Sequence, residues 1–226
     1  MQSKSFIMEI ANYKKTIGLG LVILFSLFLV NVIIGRIPIT HDSVWFNFRE
    51  WWFPLSQLCQ LVTVIFVAFN SKVQSSIVSK IGAVLYSILM LVYISNRITY
   101  HINGSSLLYL EGIFEYITSF LIFAPGLLLL VWGLRKLWLP IKIVTTISVV
   151  VSLIEDVIWT KLRPMYINMT EFSYEEFEKI EPLQNAVDTL IHINALIYLA
   201  LVVLTIVWIS MRQKAPSIKT NNIDLI

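Results

Sequence analysis

Charge is scarce in this chain. Asp, Glu, Lys and Arg make up 14% of its 226 residues, against about 25% in an ordinary soluble domain, which excludes a protein that stays in water by means of a charged surface. Cysteine is scarcer still. Cys59 stands alone, so an intramolecular disulfide and a thiolate zinc cluster are both excluded. There are 3 histidines, and no H-E-x-x-H, G-x-S-x-G, Walker loop or Rossmann glycine pattern, which removes the common motif-based enzyme classes. The net charge of +3 is not gathered into a basic stripe with interleaved aromatics, so nucleic acid is not an expected partner.

What the chain has in abundance is apolar sequence. It is 57% hydrophobic, with a mean hydropathy of +0.78, and several runs approach the roughly 20 apolar residues that a bilayer-crossing helix needs. The expectation is an all-α polytopic membrane helix bundle with six transmembrane helices over residues 16–35, 53–69, 81–96, 116–134, 140–160 and 189–211. These form one domain, residues 1–211, followed by a flexible cytoplasmic tail, 212–226. Lys4, Lys14 and Lys15 precede the first run, which lacks a small-residue cleavage pattern, so an uncleaved signal anchor is expected.

Six spans put most of the 17 basic residues on one side, with both chain termini, and all acidic residues but Glu9 and Asp224 on the other, with His41, His101 and His192. The basic side is cytoplasmic by the positive-inside rule. The localisation expected is therefore the cell membrane, multi-pass, with the lipid bilayer as the first partner.

Local signals refine this plan. HDSVWFNFREWWFP between the first two spans reads as an interfacial aromatic belt, with Pro54 near a helix start. Pro125-Gly126 predicts a kink in the fourth span. In the outer loop 161–188, Ser173 and Glu176 fit a capping box and Pro182 marks a stop. That predicts a short surface helix with Tyr174, Phe177 and Ile180 on one face and Glu175, Glu178 and Glu181 in solvent. Asn31, Gln57 and Gln60 are expected to hydrogen-bond between helices.

Three polar motifs converge on the outer rim. Glu111 and Glu115 share a helical face at the start of span four, Glu155 and Asp156 lie at the end of span five, and Asp188 and His192 share a face at the start of span six. Acids at helix amino ends gain from the macrodipole, which offers an architectural reading of Glu111, Glu115 and Asp188. Glu155 and Asp156, placed at a carboxyl end, are opposed by it and need a cation, a proton or water; pairing with Arg97, Arg163 or Lys161 is their architectural reading. His192 has a bland reading as a packing residue and Trp159 as an interface anchor. Ionisable groups in such segments are functional candidates by default.

Carboxylates with an imidazole suit either a divalent metal, held by Glu111, Glu115, Glu155, Asp156, Asp188 and His192, or acid–base catalysis by Glu155, Asp156 and His192. Both readings remain open at this stage.

EGIFEYIT, IEDVIW and QNAVDTLIH resemble the motifs of a group of small bacterial polytopic membrane proteins, [DE]-G-x-x-E-[WY]-x-T, E-E-x-x-W-G-Q-R and E-T-x-L-H-N. The matched positions are Glu111, Gly112, Glu115, Tyr116, Thr118, Glu155, Asp156, Trp159, Asp188, Thr189 and His192, all in the second half. Two departures stand out: Thr-Lys-Leu follows Trp159, and Asn194 falls one place late after His192. The resemblance implies a shared architecture and rim site and names no reaction. The functions expected are a membrane enzyme, metal-dependent or not, acting on a lipid or cell-envelope intermediate; a small-molecule binding or transport subunit; or an accessory subunit with a membrane-protein partner.

Overall fold

The structure, a computed structural model, describes residues 2–36, 44–69, 76–103, 122–167 and 174–211. The fold is all-α. Among the described residues its helices are α1 (Gln2–Arg36), α2 (Val44–Phe69), α3 (Ile77–Asn103), α4 (Ala124–Gly133), α5 (Leu139–Ile167) and α6 (Tyr174–Ser210). Each packs on the next in chain order and α6 returns to α1, which closes the bundle into a ring.

Among the described residues four stretches are long and apolar enough to cross a membrane: Tyr13–Arg36, Trp51–Phe69, Ile77–Ser95 and Glu178–Ser210. α6 shows why. Its stripe of Tyr198, Leu201, Thr205 and Trp208 is buried, while Leu196, Leu199, Val203 and Ile206 on other faces are exposed and equally apolar. A helix apolar all round is built for lipid on the face its neighbours leave bare. Helices are also the form in which an open chain satisfies every backbone group inside lipid.

Phe28 of α1 sits at the centre of the ring, with its ring centroid 5.2 Å from that of Tyr198 on α6 and 6.5 Å from that of Tyr86 on α3. Tyr86 in turn lies 5.9 Å from Phe123. α3 and α4 approach along a seam of small residues. A Cβ on Gly82 would overlap the backbone of Leu130 and Gly126, and one on Gly133 would overlap Ser79, so these helices meet backbone to backbone as small residues permit in membrane bundles. Ser76 caps α3 by accepting from the Ser79 N–H (3.3 Å) and donates its own hydroxyl to the Gly133 carbonyl at the end of α4 (2.7 Å).

The helices differ from the sequence expectation mainly in length. Pro54 lies inside α2, which begins at Val44. Pro182 does not stop a surface helix: α6 runs through it from Tyr174 to Ser210. Pro182 is exposed, so water can take the carbonyl that the missing N–H leaves free. Ile180, instead of lying on a separate surface helix, is buried with Leu162 of α5 and Val187, and this apolar contact joins α5 to the first turns of α6. Glu178 and Glu181 are exposed, as expected. The kink predicted at Pro125-Gly126 depends on residues before 122 that lie outside the described residues; Pro125 itself stands in the first turn of α4.

These lengths remove the dipole arguments. Glu155 and Asp156 lie about three turns before the end of α5, and Asp188 lies about four turns inside α6. The macrodipole acts within the first and last turns only. It neither opposes the pair nor explains Asp188, and side-chain partners must do both.

Candidate functional site

The site is built on the facing stripes of α5 and α6. Thr145, Ser148, Ser152 and Glu155 follow one another at spacings of three and four, which keeps them on one side of α5. Thr145 satisfies its own hydroxyl on the Ile141 carbonyl (2.8 Å). The others meet α6. Ser148 donates to Asn194 Oδ1 (3.3 Å), and Asn194 Nδ2 donates to Ser152 (3.1 Å). Glu155 continues this stripe one turn beyond Ser152, near the Asn194 amide, and Tyr198 lies near Ser148 and Ser152. Ser148, Asn194 and Tyr198 are buried, and Glu155 is half-buried at the outer end of the stripe.

Above this wedge an ion pair joins the first and last helices. Arg36 Nη1 donates to Asp188 Oδ1 at 2.6 Å. The same guanidinium and the adjacent Asp156 are the charges that act on Glu155. Both partners of the pair are more than a third exposed, 36% and 40%, so its direct contribution to stability is at most about 1 kcal/mol. Its consequence is positional: it fixes the one cation found beside the Glu155 carboxylate among the described residues. Lys161 is exposed and makes no ion pair among the described residues; the side chains of Arg97 and Arg163 lie outside them.

His192 is exposed and sits within 2.6 Å of the Asp188 carbonyl through Nδ1. A carbonyl only accepts, so this contact puts the proton on Nδ1 and leaves Nε2 as the free lone pair. Asp188 therefore spends its carboxylate on Arg36 and its carbonyl on His192. The structure gathers Glu155, Asp156, Arg36 and Asp188, with Asn194 occupying the buried α6 position beside Glu155 and His192 on an exposed position of the same helix. Glu111 and Glu115 lie outside the described residues, as do His41 and the side chain of His101. Among the described residues no three His, Cys, Asp or Glu side chains gather as a metal would require. Trp159 is exposed, in keeping with an interface anchor.

A second polar string lies across the bundle. Trp52 Nε1 (2.9 Å) and the Ser56 hydroxyl (2.8 Å) both donate to Asn31 Oδ1, Gln60 Nε2 donates to Ser56 (3.2 Å), and Tyr86 donates to Gln60 Oε1 (2.7 Å). Asn31 and Gln60 thus bridge helices as expected. Gln57 Oε1 is buried without a partner among the described residues.

The residues that sequence reasoning passed over are Arg36, Ser148, Ser152 and Tyr198. Two signals were available. The 3–4–3 spacing of Thr145, Ser148, Ser152 and Glu155 marks a polar face, and Arg36 ends its apolar run, as Glu155 and Asp156 end theirs.

Fold and site together define an integral, polytopic helical membrane protein with a polar seam between two of its helices. No family model, curated protein or solved structure matches the chain.

Proposed function

We propose that the chain is a six-span protein of the cell membrane with both termini in the cytoplasm, and that the Glu155 site opens on the outer rim, where it acts on a lipid or cell-envelope intermediate. The observation that carries this reading is a half-buried carboxylate at the end of the polar seam that Asn194 builds with Ser148 and Ser152, with Arg36 and Asp156 as its charged neighbours. Such a group is expensive in a membrane and is retained where it exchanges a proton or meets a ligand. Glu155 is the acid–base group, Asp156 and Arg36 set its charge environment, and His192 Nε2 offers a second proton acceptor at the rim. Glu111 and Glu115 would have to join Glu155, Asp156, Asp188 and His192 for a divalent metal to be held. The resemblance of the three motif stretches to small bacterial membrane proteins belongs to the same reading.

A solute-binding or transport subunit is the second reading, favoured by the hydroxyl and amide lining of the seam, which suits neutral polar groups. Purified protein carrying Glu155→Gln, Asp156→Asn or His192→Ala tests both. Bound lipid and solute are identified by native mass spectrometry, metal is measured by elemental analysis, and each variant is melted. The proposal expects Glu155→Gln to lose the retained molecule at unchanged thermal stability. Retention equal to the parent in all three variants overturns it.

A further inference from the structure

At the end of the bundle remote from Glu155, α4 turns into α5 through a corner crowded with cations. Arg135 and Lys136 are exposed on the turn, and Lys142 lies one turn into α5, nine-tenths buried. Lys142 Nζ donates to the Trp132 carbonyl (3.3 Å) and lies 5.7 Å from the centroid of the Trp132 ring. Trp132 is fixed in turn by donating its Nε1 to Thr146 (3.0 Å). An ammonium has three N–H donors and accepts nothing. One donor is used on the carbonyl, and two remain.

The charged side chains described at this end, Lys136 apart, are Lys14, Lys15, Lys80, Arg135 and Lys142, and no described acid lies among them. The acids that are described, Glu155, Asp156, Glu178, Glu181 and Asp188, are on the other end. From the corner an unbroken apolar stripe climbs the outer face of α5: Leu139, Ile143, Ile147, Val150 and Ile154, spaced by three or four and all exposed. The exposed indole of Trp132 stands at its foot.

We propose that this corner seats one anionic phospholipid, its phosphate on Lys142, Arg135 and Lys136 and an acyl chain along the α5 stripe. Charge complementarity selects an anionic headgroup, and the stripe selects a lipid over a free phosphate. The site is independent of the Glu155 reading, since it shares no residue with it.

The test uses the full-length protein in nanodiscs containing phosphatidylethanolamine with a minority of phosphatidylglycerol, read by native mass spectrometry of the lipids that stay bound. The parent retains phosphatidylglycerol in preference to phosphatidylethanolamine. Arg135→Ala with Lys136→Ala, both exposed, weakens that retention about twenty-five-fold, since each interfacial cation contributes about a factor of five to anionic-lipid attraction. Lys142→Met weakens it further, and Lys161→Ala at the opposite end leaves it unchanged. Inorganic phosphate at millimolar concentration does not displace the lipid. Equal retention of the two lipids by the parent, full retention by a folded double variant, an equal loss in Lys161→Ala, or displacement by phosphate would each overturn the proposal.

Discussion

At one end of the bundle Lys14 reaches from α1 to the Met211 carbonyl just beyond α6 (2.7 Å) and lies 5.7 Å from the Trp208 ring centroid. At the other, Arg36 reaches between the same two helices to the Asp188 carboxylate. Both contacts help to close the ring. Their chemistry differs. Lys14 meets a backbone carbonyl that a helix end leaves orphaned, and Lys142 does the same to α4 at Trp132. These lysines complete the architecture. Arg36 meets a side chain in the interior of α6, where the backbone is already satisfied, and its charge also reaches Glu155. The lesson is that cations at one end finish helices, whereas the cation at the other organises acids.

The comparison breaks first on topology. In a Cys59→Ser background, cysteine at Arg135 should resist an impermeant thiol reagent in intact cells and cysteine at Tyr174 should label, an all-or-none difference. Labelling of both would put the two ends on one side and end the six-span reading.

The next effect is on packing near the lysine end. Gly82→Val should destabilise by about 3 kcal/mol or more, because the added carbons meet Leu130 and Gly126 backbone that has no room to retreat. Equilibrium unfolding in detergent measures it, and a change under about 1 kcal/mol would refute the close α3–α4 seam.

In the α5–α6 seam, Asn194→Leu removes the amide between Ser148 and Ser152 and should cost about 1–2 kcal/mol. Ser148→Ala should cost less, since its bond at 3.3 Å is the longer of the two. A larger loss from Ser148→Ala would mean that Tyr198 depends on that hydroxyl more than Asn194 does.

Lys14→Met should cost about 1 kcal/mol, and Asp188→Asn about half that, because its pair is partly exposed. High salt should erase the second effect and leave the first, which thermal melts at two ionic strengths would show. Reversing the charges, Arg36→Asp with Asp188→Arg, should restore what either change alone removes. The smallest effect belongs to His192→Ala, under about 0.5 kcal/mol for an exposed side chain; a larger loss in the same melts would place His192 in a contact that its exposure denies.

Much of the architecture was legible from composition and pattern alone. Apolar runs of membrane length between charged flanks dictate helices, since no other open segment satisfies its backbone in lipid, and Asn31 and Gln60 announced interhelical bonds because a polar side chain in such a run has few other outlets. The carboxylates Glu155, Asp156 and Asp188 were visible for the same reason. Helix ends were less legible: Pro182 and Pro54 read as boundaries, yet α6 and α2 run through them, because the rest of each helix, packed on its neighbours, tolerates one lost backbone bond.

Only the tertiary structure decided which side chains meet. Spacing places Ser148, Ser152 and Glu155 on one face of α5, but whether Asn194 or His192 fills the buried position opposite them depends on the rotation of α6, and the burial of Tyr198 and Leu201 turns Asn194 inward and leaves His192 exposed. Arg36 was chosen over Lys161 as the cation beside Glu155 by ring closure between α1 and α6, a contact separated by 152 residues. Local sequence carries periodicity, and a partner that far along the chain is fixed only when the helices pack.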